Sequence, residues 1–333
     1  MKKLVCTAGL LLLAASNVFG QATAPATTQA EDSFVVAADG SGNYKTVLDA
    51  INAVPQFNPP RPFTIHVKPG TYRELVYIQR EKRFVRLVGD GDDATKTIIT
   101  FDLNAGMKGP DDKIIGTFRT PTFQVDADDF TAENITFENA AGRKGQALAI
   151  RIDGDCVAFR KCRFLGYQDT IFGNRGRHYY EDCYIEGAVD FIFGGATEFF
   201  ERCEIHAKAP GYFTAASTPS FQEFGYVFDH CKLTGAEGVQ SFLGRPWRPF
   251  AATVYMHCEM SDAVKPQGWN NWGHPDREKT TRYAEFENTG RGAETSQRVK
   301  WAKQLTAEEA AGFTVEKVLG NDGWRPDLGR DRK

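Results

Sequence analysis

The sequence predicts an all-β protein, a parallel β-helix whose coils stack along one axis and whose ends are closed by short helices. Three observations lead there: a short motif that recurs every 20 to 28 residues, period-2 alternation inside each recurrence, and 32 glycines with 25 phenylalanines in 333 residues. Self-similarity at such an interval means a repeat architecture. Short alternating segments flanked by Gly, Asp or Asn are strands, and many tight turns around aromatic residues do not suit a helical bundle.

The recurrence runs FRKCRF (159–164), YEDCYI (180–185), FERCEI (200–205), FDHCKL (228–233) and YMHCEM (255–260). AENITF (132–137) extends it upstream with Asn134 in the cysteine's place, and YAEFEN (283–288) extends it downstream with Phe286 there. The intervals from Asn134 onward are 28, 21, 20, 28, 27 and 28 residues. Coils of that length, each with two or three strands, stack about 4.8 Å apart, so residues of equal phase form ladders. The cysteines read as an inward ladder of small apolar side chains. Neighbouring rungs are also close enough for a disulfide, Cys183–Cys203 first among them, so bonded and free-thiol ladders both remain open.

The ends of such a stack need covers. In YKTVLDAINAV (44–54), Tyr44, Val47, Ala50, Ile51 and Val54 fall at helical spacing and are expected to close the N-terminal end. Near the C-terminus, Thr306 and Glu309 form a capping box ahead of a second short helix.

Outside the stack, residues 1–22 read as a secretory signal: Lys2 and Lys3, an apolar run from Leu4 to Ala15, then small residues at Gly20 and Ala22. Residues 23–32 are a low-complexity, disordered lead-in; 33–325 form one domain, and 326–333 a tail. The expected product is exported, periplasmic or secreted, and free of the membrane once the signal is removed. With 40 basic and 43 acidic residues and no basic stripe, nucleic acid is not an expected partner.

The ladder permits a phase calculation. Asp169 lies seven residues after Cys162 and Asp190 seven after Cys183, which puts two carboxylates on adjacent coils at one angular position, about 5 Å apart. Such a pair raises the pKa of one member. The alternative, two solvent-facing turn aspartates, fits poorly with the apolar surroundings GYQDTIF and VDFIFGG. Gln146 and Gln168 precede Cys162 and Cys183 by sixteen and fifteen residues, so two amides able to donate to an oxyanion stand nearby. Arg245 precedes Cys258 by thirteen, as Asp190 precedes Cys203, which places it two coils along with a guanidinium long enough to reach back and keep Asp190 ionised. No G-x-S-x-G or H-E-x-x-H is present, and the six histidines read as structural or surface residues. No metal or cofactor is therefore expected.

GTYRE (70–74), GQALAI (145–150), GYQDT (166–170), DFIFG (190–194) and GRPW (244–247), with VAADGSGNYKTVLDAI (36–51) and WAKQLTAEEAAGFT (301–314), resemble the successive signatures of pectin methylesterases over residues 33–325. That resemblance implies a right-handed parallel β-helix that hydrolyses galacturonate methyl esters in pectin, acting as a monomer without a cofactor. It implies Asp190 as nucleophile, Asp169 as acid then base, Gln146 and Gln168 as oxyanion donors, and Arg245 as the group that orients Asp190. Trp247 would pack on the sugar, with Phe193 and Phe172 along neighbouring subsites. Phe172 replaces the tyrosine of many members, the 207–225 connection looks long, and no inhibitory pro-region is expected. The aromatic run GWNNWG adds Trp269 to the expected cleft. Asp190 is expected to titrate low and Asp169 high. Competing readings are a pectate lyase or polygalacturonase, a related esterase or thioesterase for another acyl substrate, and a non-catalytic glycan-binding β-helix.

Overall fold

In the recurrent segments alternation breaks midway. Phe159, Cys162 and Phe164 are buried whereas Lys161 is exposed, so the motif is a corner between two strands and not one strand. The computed structural model describes residues 33–56, 61–320 and 322–326; the predicted signal, the lead-in and the tail beyond Pro326 lie outside them. At each corner one residue takes a left-handed conformation: Asn134, Lys161, Asp182, Arg202, His230, His257 and Glu287 have φ between 46° and 56°. That single residue turns the chain sharply and sends the next side chain inward. The inward positions are Ile135, the five cysteines and Asn288, since Glu133 pairs with Arg160 and Phe286 with Met256. Asn134 and Phe286 are thus not in the cysteine's place; the sequence alignment is off by one at the first and by two at the last. Asn288 closes the ladder by accepting from the Cys258 amide at 2.9 Å and donating to Tyr255 O at 3.0 Å.

All pairings between these strands are parallel. Among the described residues one face carries eleven strands, from Ser33–Val36 through Val157–Arg160 and Ala252–Met256 to Lys303–Gln304. A second face holds Arg163–Leu165, and a third holds Ile150–Ile152, Ile171–Gly173 and Phe242–Gly244. Two long strands, Tyr184–Gly194 and Glu204–Ala216, run unbroken from the second face into the third. The segment read as a long connection from residue 207 is therefore strand as far as Ala216.

The core repeats with the coil. Phe159, Tyr180, Phe200, Phe228 and Tyr255 form one stacked column with centroids 5.2, 4.4, 4.4 and 4.4 Å apart. Each such contact adds about 0.5–1.5 kcal/mol beyond burial. All six described cysteines are free, which resolves the open choice in favour of thiols; Cys156 lies off the ladder beside Asp155 and Arg177. A helix at Val47–Ala53, with Val47, Ala50 and Ile51 buried, covers the N-terminal end. Its first amides, those of Val47 and Leu48, donate to the Glu74 carboxylate at 2.9 and 2.8 Å, which gives GTYRE a structural task. At the other end Thr306 and Glu309 make the expected capping box.

Candidate active site

The third face is where the long strands are irregular. Along Tyr184–Gly194 the register against Glu204–Ala216 shifts on both sides of Val189, and Asp190 follows at φ 52°. Asp169 has φ 65° one coil earlier, two residues before Ile171, which pairs with Ile192. Non-glycine residues in this region cost about 1–2 kcal/mol each and persist where the surroundings hold them. Both carboxylates are thereby turned out of the strand at the same angular position on adjacent coils. Gly194 permits the close stacking alongside: its φ is 128°, and a Cβ there would lie 1.9 Å from Gly173 O.

Asp169, Asp190, Gln146, Gln168, Arg245, Phe193 and Trp247 line one open cleft of about 350 Å³, with Thr117, Phe118, Ala215 and Trp272. Gln146 bridges Gln168, which bridges Val189, so the two amides stand on successive coils beside the carboxylates. Among the described residues neither glutamine amide has a hydrogen-bond partner, and both are half-buried. Arg245 donates from Nε to Asp190 Oδ1 at 2.8 Å and from Nη2 to Oδ2 at 2.6 Å. Phe172 is buried and does not line the cleft, which corrects its expected place along a subsite; it stacks on Phe193 at 4.7 Å, and Trp247 packs against both, so Phe172 backs the aromatic wall from beneath.

The two carboxyls differ in their partners. Among the described residues Asp169 has no ion-pair partner; burial first, then the charge of Asp190, pushes its pKa up to about 8. Burial also raises Asp190 from its ordinary value, against the downward pull of Arg245. The expected low titration of Asp190 is thus corrected: desolvation outweighs the ion pair, and what remains of the expectation is the higher position of Asp169. If turnover needs Asp190 ionised and Asp169 protonated, the rate rises through the first pKa and falls through the second. In Arg245→Ala burial acts on Asp190 unopposed, so the acid limb of kcat/KM moves toward neutrality; an unmoved limb in a pH series contradicts this.

Two further expectations are corrected. Arg245 is not in phase with Asp190: Thr214 pairs with both Ile192 and Gly244, so Arg245 is in register with Phe193, three residues from the calculated position. Its length makes up the difference. Trp269 is 1% exposed and lies in the core, stacked on Tyr283 at 4.3 Å with its indole N–H donating to Glu285 at 3.1 Å. The second tryptophan of GWNNWG, Trp272, is the one that reaches the cleft. Trp269→Ala is expected to cost about 3–5 kcal/mol in urea unfolding, whereas Trp247→Ala should raise KM with little effect on stability.

Sequence reasoning missed Tyr212 and Trp272, whose rings sandwich the Arg245 guanidinium at 3.9 and 3.6 Å. It also missed Phe118, 5.0 Å from Phe172. Trp272 was visible in the aromatic run; Tyr212 and Phe118 belong to no recurrent motif.

A protein-family model described as Pectinesterase matches residues 33–322. The chain belongs to the pectinesterase family. Pectinesterase 31 of Arabidopsis thaliana is 41% identical over 300 residues, covering 88% of this chain and 94% of its own. Among solved structures, the carrot pectin methylesterase superposes with a TM-score of 0.80 at 36% identity, over 86% of this chain and 92% of that one. A pectin methylesterase in complex with a hexasaccharide aligns at 0.75 and 29% identity, over 88% and 98%. This pectinesterase therefore has the right-handed parallel β-helix of those structures and is a carboxylic ester hydrolase.

Proposed function

We propose that this pectinesterase removes methyl groups from galacturonate esters of pectin, with Asp190 as nucleophile and Asp169 as acid and base. The observation that carries the proposal is the asymmetric pair: one carboxylate clamped by Arg245, the other uncharged near neutrality, beside two glutamine amides with no hydrogen-bond partner among the described residues. A nucleophile must have lost its proton and an acid must hold one.

An Asp190 oxygen attacks the ester carbonyl carbon, and the resulting oxyanion accepts hydrogen bonds from Gln146 and Gln168. The bond to methoxide breaks as Asp169 gives up its proton, releasing methanol and leaving a galacturonyl–Asp190 anhydride. Water, deprotonated by Asp169, opens the anhydride and restores both residues. Arg245 holds Asp190 in place, and Tyr212 with Trp272 hold Arg245 by stacking on its plane. The cleft-lining rings of Phe193, Phe118 and Trp247 suit the apolar faces of successive sugars, and an open cleft admits a chain from both sides. A hexasaccharide complex in a relative of this fold supports an oligomeric substrate. Export through the leader at residues 1–22 and action as a monomer belong to the same proposal.

Methanol release from methyl-esterified homogalacturonan tests it. The expected result is release that excess chelator leaves unchanged, because side chains supply every catalytic group. Turnover confined to an acetyl ester or thioester, or lost with chelator and restored by calcium, would overturn it.

A further inference from the structure

The left-handed corner column ends, at its C-terminal coils, in His230, His257 and Glu287, one above the next. The column lies between the first and second faces, on a different edge of the helix from the cleft. Both imidazoles turn their Nδ1 toward a single atom: His257 Nδ1 is 2.8 Å and His230 Nδ1 3.0 Å from Asp229 Oδ1. The three donor atoms lie within 4.8 Å of one another. A tetrahedral zinc ion with nitrogen ligands at about 2.0–2.1 Å needs ligand atoms about 3.4 Å apart, so small side-chain rotations complete the set.

From this convergence we infer that Asp229, His230 and His257 form a binding site for a divalent transition metal of the zinc type, separate from the ester-cleaving cleft. Two imidazoles and a carboxylate are the donor types that zinc, copper and nickel prefer, while calcium and magnesium take oxygen sets. The fourth position is left to water, since His230 is well exposed. The surroundings support the assignment. Glu287 Oε2 is 3.9 Å from His257 Nε2, on the side away from Asp229, so a small rotation brings its carboxylate to accept from Nε2 and leave Nδ1 free to ligate. The ring of Phe286 stands edge-on to His257 at 5.5 Å and limits its rotation. Arg202, next in the column, is drawn off by ion pairs to Asp182 at 3.0 Å and Glu201 at 2.6 Å. An ion here ties together coils whose ligands are 27 residues apart in sequence, His230 and His257, and so acts as a staple near the C-terminal end.

Isothermal titration of the tag-free protein with zinc chloride tests the site. One saturable zinc per chain is expected, removed by His230→Ala or His257→Ala and weakened about tenfold or more by Glu287→Gln. At about a hundredfold excess over Kd, zinc should raise the melting temperature of the native protein by about 5 °C and leave that of His230→Ala/His257→Ala unchanged. Circular dichroism and ester hydrolysis, both expected to be unaltered in the histidine variants, show that they fold. Absence of saturable binding, or binding and melting shifts that persist in the double variant, would overturn the inference.

Discussion

Asp190→Asn is expected to lower methanol release by about 10⁴-fold or more, as loss of a nucleophile does when the rest of the site is intact. The carboxamide keeps the shape of the side chain and can still accept from Arg245, but it offers no anionic oxygen to attack a carbonyl. The protein should remain folded, because burial already disfavours the Asp190 charge and its removal relieves that cost. Activity within tenfold of the native protein would remove Asp190 from the reaction.

Asp169→Asn should reduce the rate by about 10²–10⁴-fold, the range that general acid–base assistance supplies. It should also change stability in a way that depends on pH. The native Asp169 carboxyl holds its proton up to about pH 8, well above the ordinary value of 3.8. Between those values the folded state binds a proton that the unfolded state has lost, so native stability falls as pH rises, by at most about 1.4 kcal/mol per unit from this group. Asparagine has no such slope. Urea unfolding at several pH values should therefore show the variant gaining on the native protein toward pH 8, and parallel curves would mean that Asp169 titrates normally.

The carboxylate pair was legible in the sequence because Cys162 and Cys183 begin coils of similar construction, and an offset of seven from each crosses the same corner. The same counting misplaced Arg245. The turn from the third face back to the first takes nine residues from Gly244 to Thr253 but six between their paired counterparts Ile192 and Glu198, and a count back from the cysteines assumes equal turns. The corners themselves were written in the repeats as interrupted alternation, since Phe159, Cys162 and Phe164 cannot all point inward from one regular strand. Burial was less legible. Nothing in GWNNWG says which of Trp269 and Trp272 completes the aromatic end of the core beside Tyr255 and Tyr283. Likewise the charge pattern around Asp190 indicated Arg245 but not the desolvation that exceeds it.

The chemistry turns on whether galacturonyl groups pass through Asp190. Hydroxylamine competing with water for such an intermediate yields hydroxamate and free acid in a fixed ratio. The measurement is that ratio for methyl and ethyl esters of the same oligogalacturonide. Passage through one galacturonyl–Asp190 species predicts the same ratio for both alcohols and loss of both products in Asp190→Asn. A ratio that changes with the leaving alcohol would mean that water attacks the ester directly and would contradict the covalent role of Asp190.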